Sequence, residues 1–191
     1  MHRLTTSFIL GYHGCDQEVG ERLLAGEAFK PSNNAYDWLG PGIYFWEANP
    51  LRGLEFAVES APRRGSPIQP AVIGAVIELG NCLDLTTSAG IEYVQEAHRW
   101  LVLSSRVGGL SLPRNSKDGL RRNLDCAVIT RVHEVLRESN MAPIDTVKAI
   151  FVEGRPIYPD ARFYEKTHTQ IAVCNPRCIR GVFRVSADHL R

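Results

Sequence analysis

Polar side chains set inside short apolar, glycine-bounded runs are the natural place to look for chemistry in this 191-residue chain. His13 closes the run Ser7-Phe8-Ile9-Leu10-Gly11-Tyr12-His13-Gly14, which reads as a strand delivering an imidazole to its end. Tyr44 and Trp46 alternate along Gly42-Ile43-Tyr44-Phe45-Trp46 and so share one face of a second strand. Gln170 interrupts the late apolar strand Thr169-Gln170-Ile171-Ala172-Val173, with His168 two residues earlier on the same face. An imidazole, a phenol and a carboxamide can hold and orient a ligand by hydrogen bonding, and an aromatic face also attracts a cationic ring. Taken singly, each has a plainer reading: a satisfied histidine at a strand end, an amphipathic core tyrosine, an amide paired with neighbouring strands.

The elements that must position these residues are legible in order. Asp16 can cap a helix whose stripe is Val19, Leu23 and Leu24 and which Gly26 closes. Phe29 to Gly42, rich in Pro, Ser, Asn and Gly, reads as an irregular loop and a candidate binding wall. Asn49-Pro50 opens a short helix carrying Leu51, Leu54, Phe56, Ala57 and Val58. Ala71 to Leu79 has the β-branched continuity of a buried strand, and Asp84-Leu85-Thr86 follows a Gly-Asn turn. Helical spacing then covers Ile91 to Leu103 and Asp125 to Arg137, separated by Gly108-Gly109 and the mixed-charge stretch Arg114 to Arg122. Strands return at Val147 to Val152, Thr169 to Val173 and Ile179 to Val185. The pattern predicts an α+β chain with strands at both ends and helices between them.

Length fits one domain over 1–191, with a helical insertion of unassigned role at about 80–143. The apolar fraction of 44% and charged fraction of 23% exclude a disordered or fibrous chain, and a net charge of +1 provides no global field toward nucleic acid or anionic membrane. No apolar stretch is long enough for a membrane helix, and Met1-His2-Arg3-Leu4-Thr5 lacks a signal core, so a cytoplasmic protein with no membrane partner is expected. Cys15, Cys82, Cys126, Cys174 and Cys178 form an odd set without paired CxxC elements, which argues against a disulfide framework and against a metal site. The local basic cluster Arg114, Lys117, Arg121 and Arg122, diluted by Asp118, could contact RNA or DNA or form a solvated face.

Three of these segments together resemble the diphtheria-toxin and poly(ADP-ribose)-polymerase branch of the ADP-ribosyltransferases. Tyr12-His13-Gly14-Cys15 is similar to the family's His-Gly-Ser/Thr strand end, and Leu39-Gly40-Pro41-Gly42-Ile43-Tyr44-Phe45-Trp46-Glu47 to its Gly-x-Gly-Ile-Tyr-Phe strand. Thr169 to Val173 is placed like the closing Glu-Tyr-Ile-Val strand. His13 and Tyr44 lie 31 positions apart, and Tyr44 and Gln170 a further 126.

The resemblance implies a split β-sheet core and NAD as a substrate, with no metal. It implies a triad of His13, Tyr44 and Gln170, where His13 bonds the adenosine ribose, Gly14 clamps the nicotinamide carboxamide through its backbone, and Tyr44 stacks on the nicotinamide ring. Cys15 takes the place of the family's Ser/Thr, Ser32 belongs to the loop over the adenosine, and Arg52 stands where a small hydroxyl residue bonds the carboxamide. Arg52 then either grasps the pyrophosphate or is solvated surface. Gln170 replaces the usual glutamate; its amide accepts the same ribose hydrogen bond without the charge, which implies slower, single-unit transfer. Glu47, Glu153, Glu165 and His168 are candidates to supply the missing charge. The expected activity is mono-ADP-ribosylation of a protein or nucleic acid, in the manner of a bacterial toxin or defence effector with an antitoxin partner. A NAD glycohydrolase and a catalytically degenerate nucleotide- or nucleic-acid-binding module remain open alternatives.

Overall fold

The computed structural model describes residues 8–63 and 67–190; Met1 to Thr5 and Ser7, which entered the expectations above, lie outside the described residues. A single seven-stranded sheet organises the chain. Its strands are β1 (Phe8–Asp16), β2 (Ile43–Glu47), β3 (Pro70–Glu78), β4 (Cys82–Asp84), β5 (Thr146–Phe151), β6 (His168–Val173) and β7 (Ile179–Arg184). They lie side by side in the order β4-β5-β6-β2-β1-β3-β7, all neighbours antiparallel except the β4–β5 pair. Four helices complete the α+β architecture: α1 (Gln17–Leu24), α2 (Pro50–Ser60), α3 (Ser88–Val107) and α4 (Asn123–Glu138).

Local chemistry explains where the helices begin. The Asp16 carboxylate accepts from the Glu18 amide at the start of α1, and Asn49 accepts from the Arg52 amide at α2, where Pro50 takes a position that needs no donor. The Thr87 hydroxyl accepts from the Gly90 amide and starts α3 three residues before the apolar pattern does. α3 also runs on to Val107, beyond the expected end at Leu103, because nothing in its last turn breaks helical geometry before Gly108.

Paired residues on neighbouring strands point to the same side of a sheet, so the register sorts side chains onto two faces. One face carries Ile43, Phe45, Ala75, Ile77, Ile171 and Val173, packed with Phe29 and Ile9. α1 covers the same face, with Gly20 in contact with Ile73 and Cys15. The other face carries Val147, Ala149 and Ala172 against Leu39, Ala97, Val128, Ile129 and Val132 of the preceding loop and of α3 and α4. α2 lies on this second face as well, where Gly53 meets Val72, Trp46 and Tyr12. The middle of the chain is therefore integral: β4 extends the sheet by pairing with β5, and α3 and α4 close its larger core. No helix among the described residues is long and apolar enough to cross a membrane.

Candidate functional site

The strand order brings the three expected triad positions onto three neighbouring strands, β1 with His13, β2 with Tyr44 and β6 with Gln170. Across this row Tyr12 pairs with Trp46, and Trp46 with Gln170. β1 and β2 share only two paired positions, Gly11 with Glu47 and Tyr12 with Trp46, although β1 continues to Asp16 and β2 begins at Ile43. Beyond Tyr12 the two strands part. His13 Nδ1 spans the gap and donates to the Tyr44 carbonyl oxygen at 2.8 Å, since a carbonyl can only accept. That bond places the lone pair of the neutral ring on Nε2.

His13 is not at a strand end; three further residues of β1 follow it and continue to pair with β3. Its ring packs edge-on against Phe29 at 5.5 Å and beside Phe45 at 5.6 Å, on the face covered by α1. The Tyr44 ring lies on the opposite face with the α3/α4 core. The Tyr44 hydroxyl donates to the Gly40 carbonyl at 2.8 Å and accepts from the Leu39 amide at 3.0 Å, which ties β2 to the turn before it. Gly40 makes that turn with φ of 77°, a conformation that excludes most side chains. Burial, with Asp37 nearby, pushes the Tyr44 phenol far above its ordinary range, so it is neutral and a hydrogen-bond donor throughout the physiological range.

Gln170 shares the Tyr44 face and its Oε1 accepts from Trp38 Nε1 at 2.6 Å. Trp38 in turn packs on Phe151 at 4.9 Å, and the Arg122 guanidinium lies 5.0 Å over Trp38 and 4.2 Å over Phe151. Sequence reasoning placed Trp38 only in a loop; its pairing with a residue 132 positions away has no local signal.

The remaining expected ligands are engaged within the protein. Gly14 is required by packing: a Cβ there would stand 2.0 Å from the Gly53 carbonyl oxygen, so its lack of a side chain lets α2 seat on β1. Cys15 is 3% exposed with its sulfur toward α1. The Ser32 hydroxyl donates to Asp37 at 2.7 Å and accepts from Asn34, and these bonds close the loop on itself. Arg52 is neither surface nor directed at solvent; at 4% exposure it pairs with Glu59 at 3.1 Å, Glu153 at 3.0 Å and Glu55 at 3.6 Å.

Three candidates for the missing negative charge carry a cation each: Glu47 with Lys148 at 2.9 Å, Glu153 with Arg52, and Glu165 with Arg155 at 3.6 Å. His168 is buried, its Nδ1 donating to the Lys166 carbonyl at 2.6 Å, and burial holds its pKa below the ordinary histidine value. It stacks on Phe151 at 5.4 Å and lies 6.2 Å from Trp46. Trp46 Nε1 and His168 Nε2 are buried without a hydrogen-bond partner among the described residues, as are Arg52 Nε and Nη1 and Arg131 Nε.

No protein-family model, curated protein or solved structure matches the chain. Among the described residues no three His, Cys, Asp or Glu side chains are grouped to hold a metal ion.

Proposed function

We propose that the chain is a NAD-dependent mono-ADP-ribosyltransferase of the kind the three sequence motifs resemble, with the dinucleotide bound where β1 and β2 part. The observation that carries this reading is the two-pair junction of these strands with His13 bridging them. It supports the reading because strands that part leave backbone groups free for a ligand; His13 on one sheet face and Tyr44 on the other border the parting, and Gln170 follows on the next strand, β6, on the Tyr44 side.

In the reaction the bond between nicotinamide and ribose breaks and the pair of electrons leaves with nicotinamide. An acceptor oxygen or nitrogen attacks the ribose carbon and releases a proton. Charge builds up on the ribose in the transition state, so groups held ready near it lower the barrier. Gln170 offers a carbonyl dipole fixed by Trp38 in place of a carboxylate. Since Glu47, Glu153 and Glu165 each face a cation, none of the three is a free carboxylate for the ribose, and the neutral amide dipole favours slow single-unit transfer.

A binding-only module is favoured by one observation, the Trp38 hydrogen bond already occupying Gln170 Oε1. Incubation with NAD labelled in the adenylate portion, with and without cell extract, separates the readings. Label on a macromolecule supports transfer. Release of free ADP-ribose alone reassigns the chain as a NAD glycohydrolase, and unchanged NAD rejects both enzyme readings.

A further inference from the structure

Resting on the transferase reading, we infer that the cavity between α3, α4 and Trp38 is the acceptor subsite and takes a nucleobase. The cavity has a volume of about 410 Å³, within the range of small-molecule sites and sufficient for one base with its sugar. Its walls are apolar, among them Leu85, Val94 and Val128, and the Trp38 indole forms one side. Gln95 and His98 border it with an exposed amide and imidazole, and Asp125, whose Oδ1 accepts from Asn115 at 2.8 Å, adds a carboxylate; donors and acceptors of this kind match a base edge.

Two further observations favour a base over another flat apolar group. Stacked cation–aromatic pairs stand beside the cavity: Arg122 over Trp38, and Arg121 5.7 Å over the exposed Tyr36 ring. Aromatic faces interleaved with guanidinium groups are the platform on which single-stranded nucleic acid stacks. The segment entering α4 also carries exposed Arg114, Lys117 and Arg121, whose charge suits the phosphates of a bound strand. The cavity is one side chain from the chemistry, because the indole that lines it donates to Gln170. A base seated there would bring its nucleophilic nitrogen or oxygen toward the ribose carbon that Gln170 faces in the transferase reading; the new glycosidic bond forms as nicotinamide departs and the acceptor loses a proton.

The test uses the full chain with two probes, a fluorescent single-stranded 12-nucleotide RNA and AMP, measured by anisotropy and by competition. Gln95→Trp fills the mouth from an exposed position, and Arg121→Glu removes one phosphate contact; thermal melting confirms that both variants fold. We expect Gln95→Trp to weaken binding at least about tenfold. Arg121→Glu should weaken RNA about threefold and reduce its salt dependence while sparing AMP. RNA binding much tighter than AMP identifies a strand as the source of the base, and equal affinities identify a free nucleotide; either supports the site. Absence of binding by both probes at millimolar concentration, or binding untouched by Gln95→Trp, overturns it. NAD turnover measured in parallel keeps the two claims apart: a chain that binds RNA through this cavity but leaves NAD intact refutes the acceptor role and the transferase reading while the base site stands.

Discussion

His13 Nδ1 and the Tyr44 carbonyl oxygen, 2.8 Å apart, hold together two strands at the place where their backbone pairing has ended. His13→Ala removes this brace together with the ring's packing on Phe29 and Phe45. In the proposed site it should lower NAD turnover about 100-fold through misplaced geometry, at a cost in stability of about 2 kcal/mol from the lost hydrogen bond and ring packing. Steady-state NAD cleavage beside a urea melt checks the split; unchanged turnover would place the histidine outside the chemistry.

Gln170→Glu keeps an acceptor for Trp38 Nε1 and adds a charge. If the residue faces the developing cation, NAD cleavage should rise about tenfold. Trp38→Phe, which withdraws the donor and keeps the aromatic packing on Phe151, should lower cleavage in the wild-type background. A Gln170→Glu enzyme that changes only in melting temperature would show a structural amide.

Gly14→Ala sets a methyl against a backbone carbonyl that cannot swing away. α2 must lift from β1, and a loss of about 1–3 kcal/mol is expected in denaturant unfolding. A neutral substitution would mean that α2 moves freely on the sheet.

Arg52→Met leaves Glu59 and Glu153 facing each other without their shared cation, with Lys166 still on Glu59 at 2.6 Å. The expected cost is about 3 kcal/mol. Pairing the change with Glu153→Gln should recover part of it, because the second substitution removes the charge left unpaired. NAD affinity of the folded variant, measured by calorimetry, should be unaltered, since the guanidinium is committed to carboxylates.

Acid should destabilise the fold below about pH 6.5, the ordinary histidine value. His133 and His168 are held below it by burial, so between the folded and unfolded values the unfolded chain binds more protons and stability falls as pH falls. Glu59 adds to this at lower pH: its partial burial raises the pKa, but Lys166 and Arg52 outweigh that and hold the carboxyl below its ordinary range, so its contribution is lost as pH falls through the acid range. His168→Phe should flatten the upper part of the profile in thermal melts from pH 7.5 to 5; an unchanged slope would exclude His168 as a source.

Local pattern was enough to read most elements of this protein. The alternation in Ile43 to Trp46, the β-branched run after Pro70, the Asp16 and Asn49 caps and the apolar spacing in α3 and α4 each depend on residues a few positions apart, and each element is present. β4 was legible only as residues after a turn, because three residues have no measurable period and its strand character comes from pairing with β5, more than sixty positions later.

The candidate site divides along the same line. Residue type and order singled out His13, Tyr44 and Gln170, and the sheet order sets them on adjoining strands. Tertiary structure alone decided that the His13 and Tyr44 rings take opposite faces, that Trp38 holds Gln170, and that Arg52 is buried among carboxylates. Which face a strand side chain takes relative to a neighbour depends on register, and register is set by long-range packing that no short stretch of sequence contains.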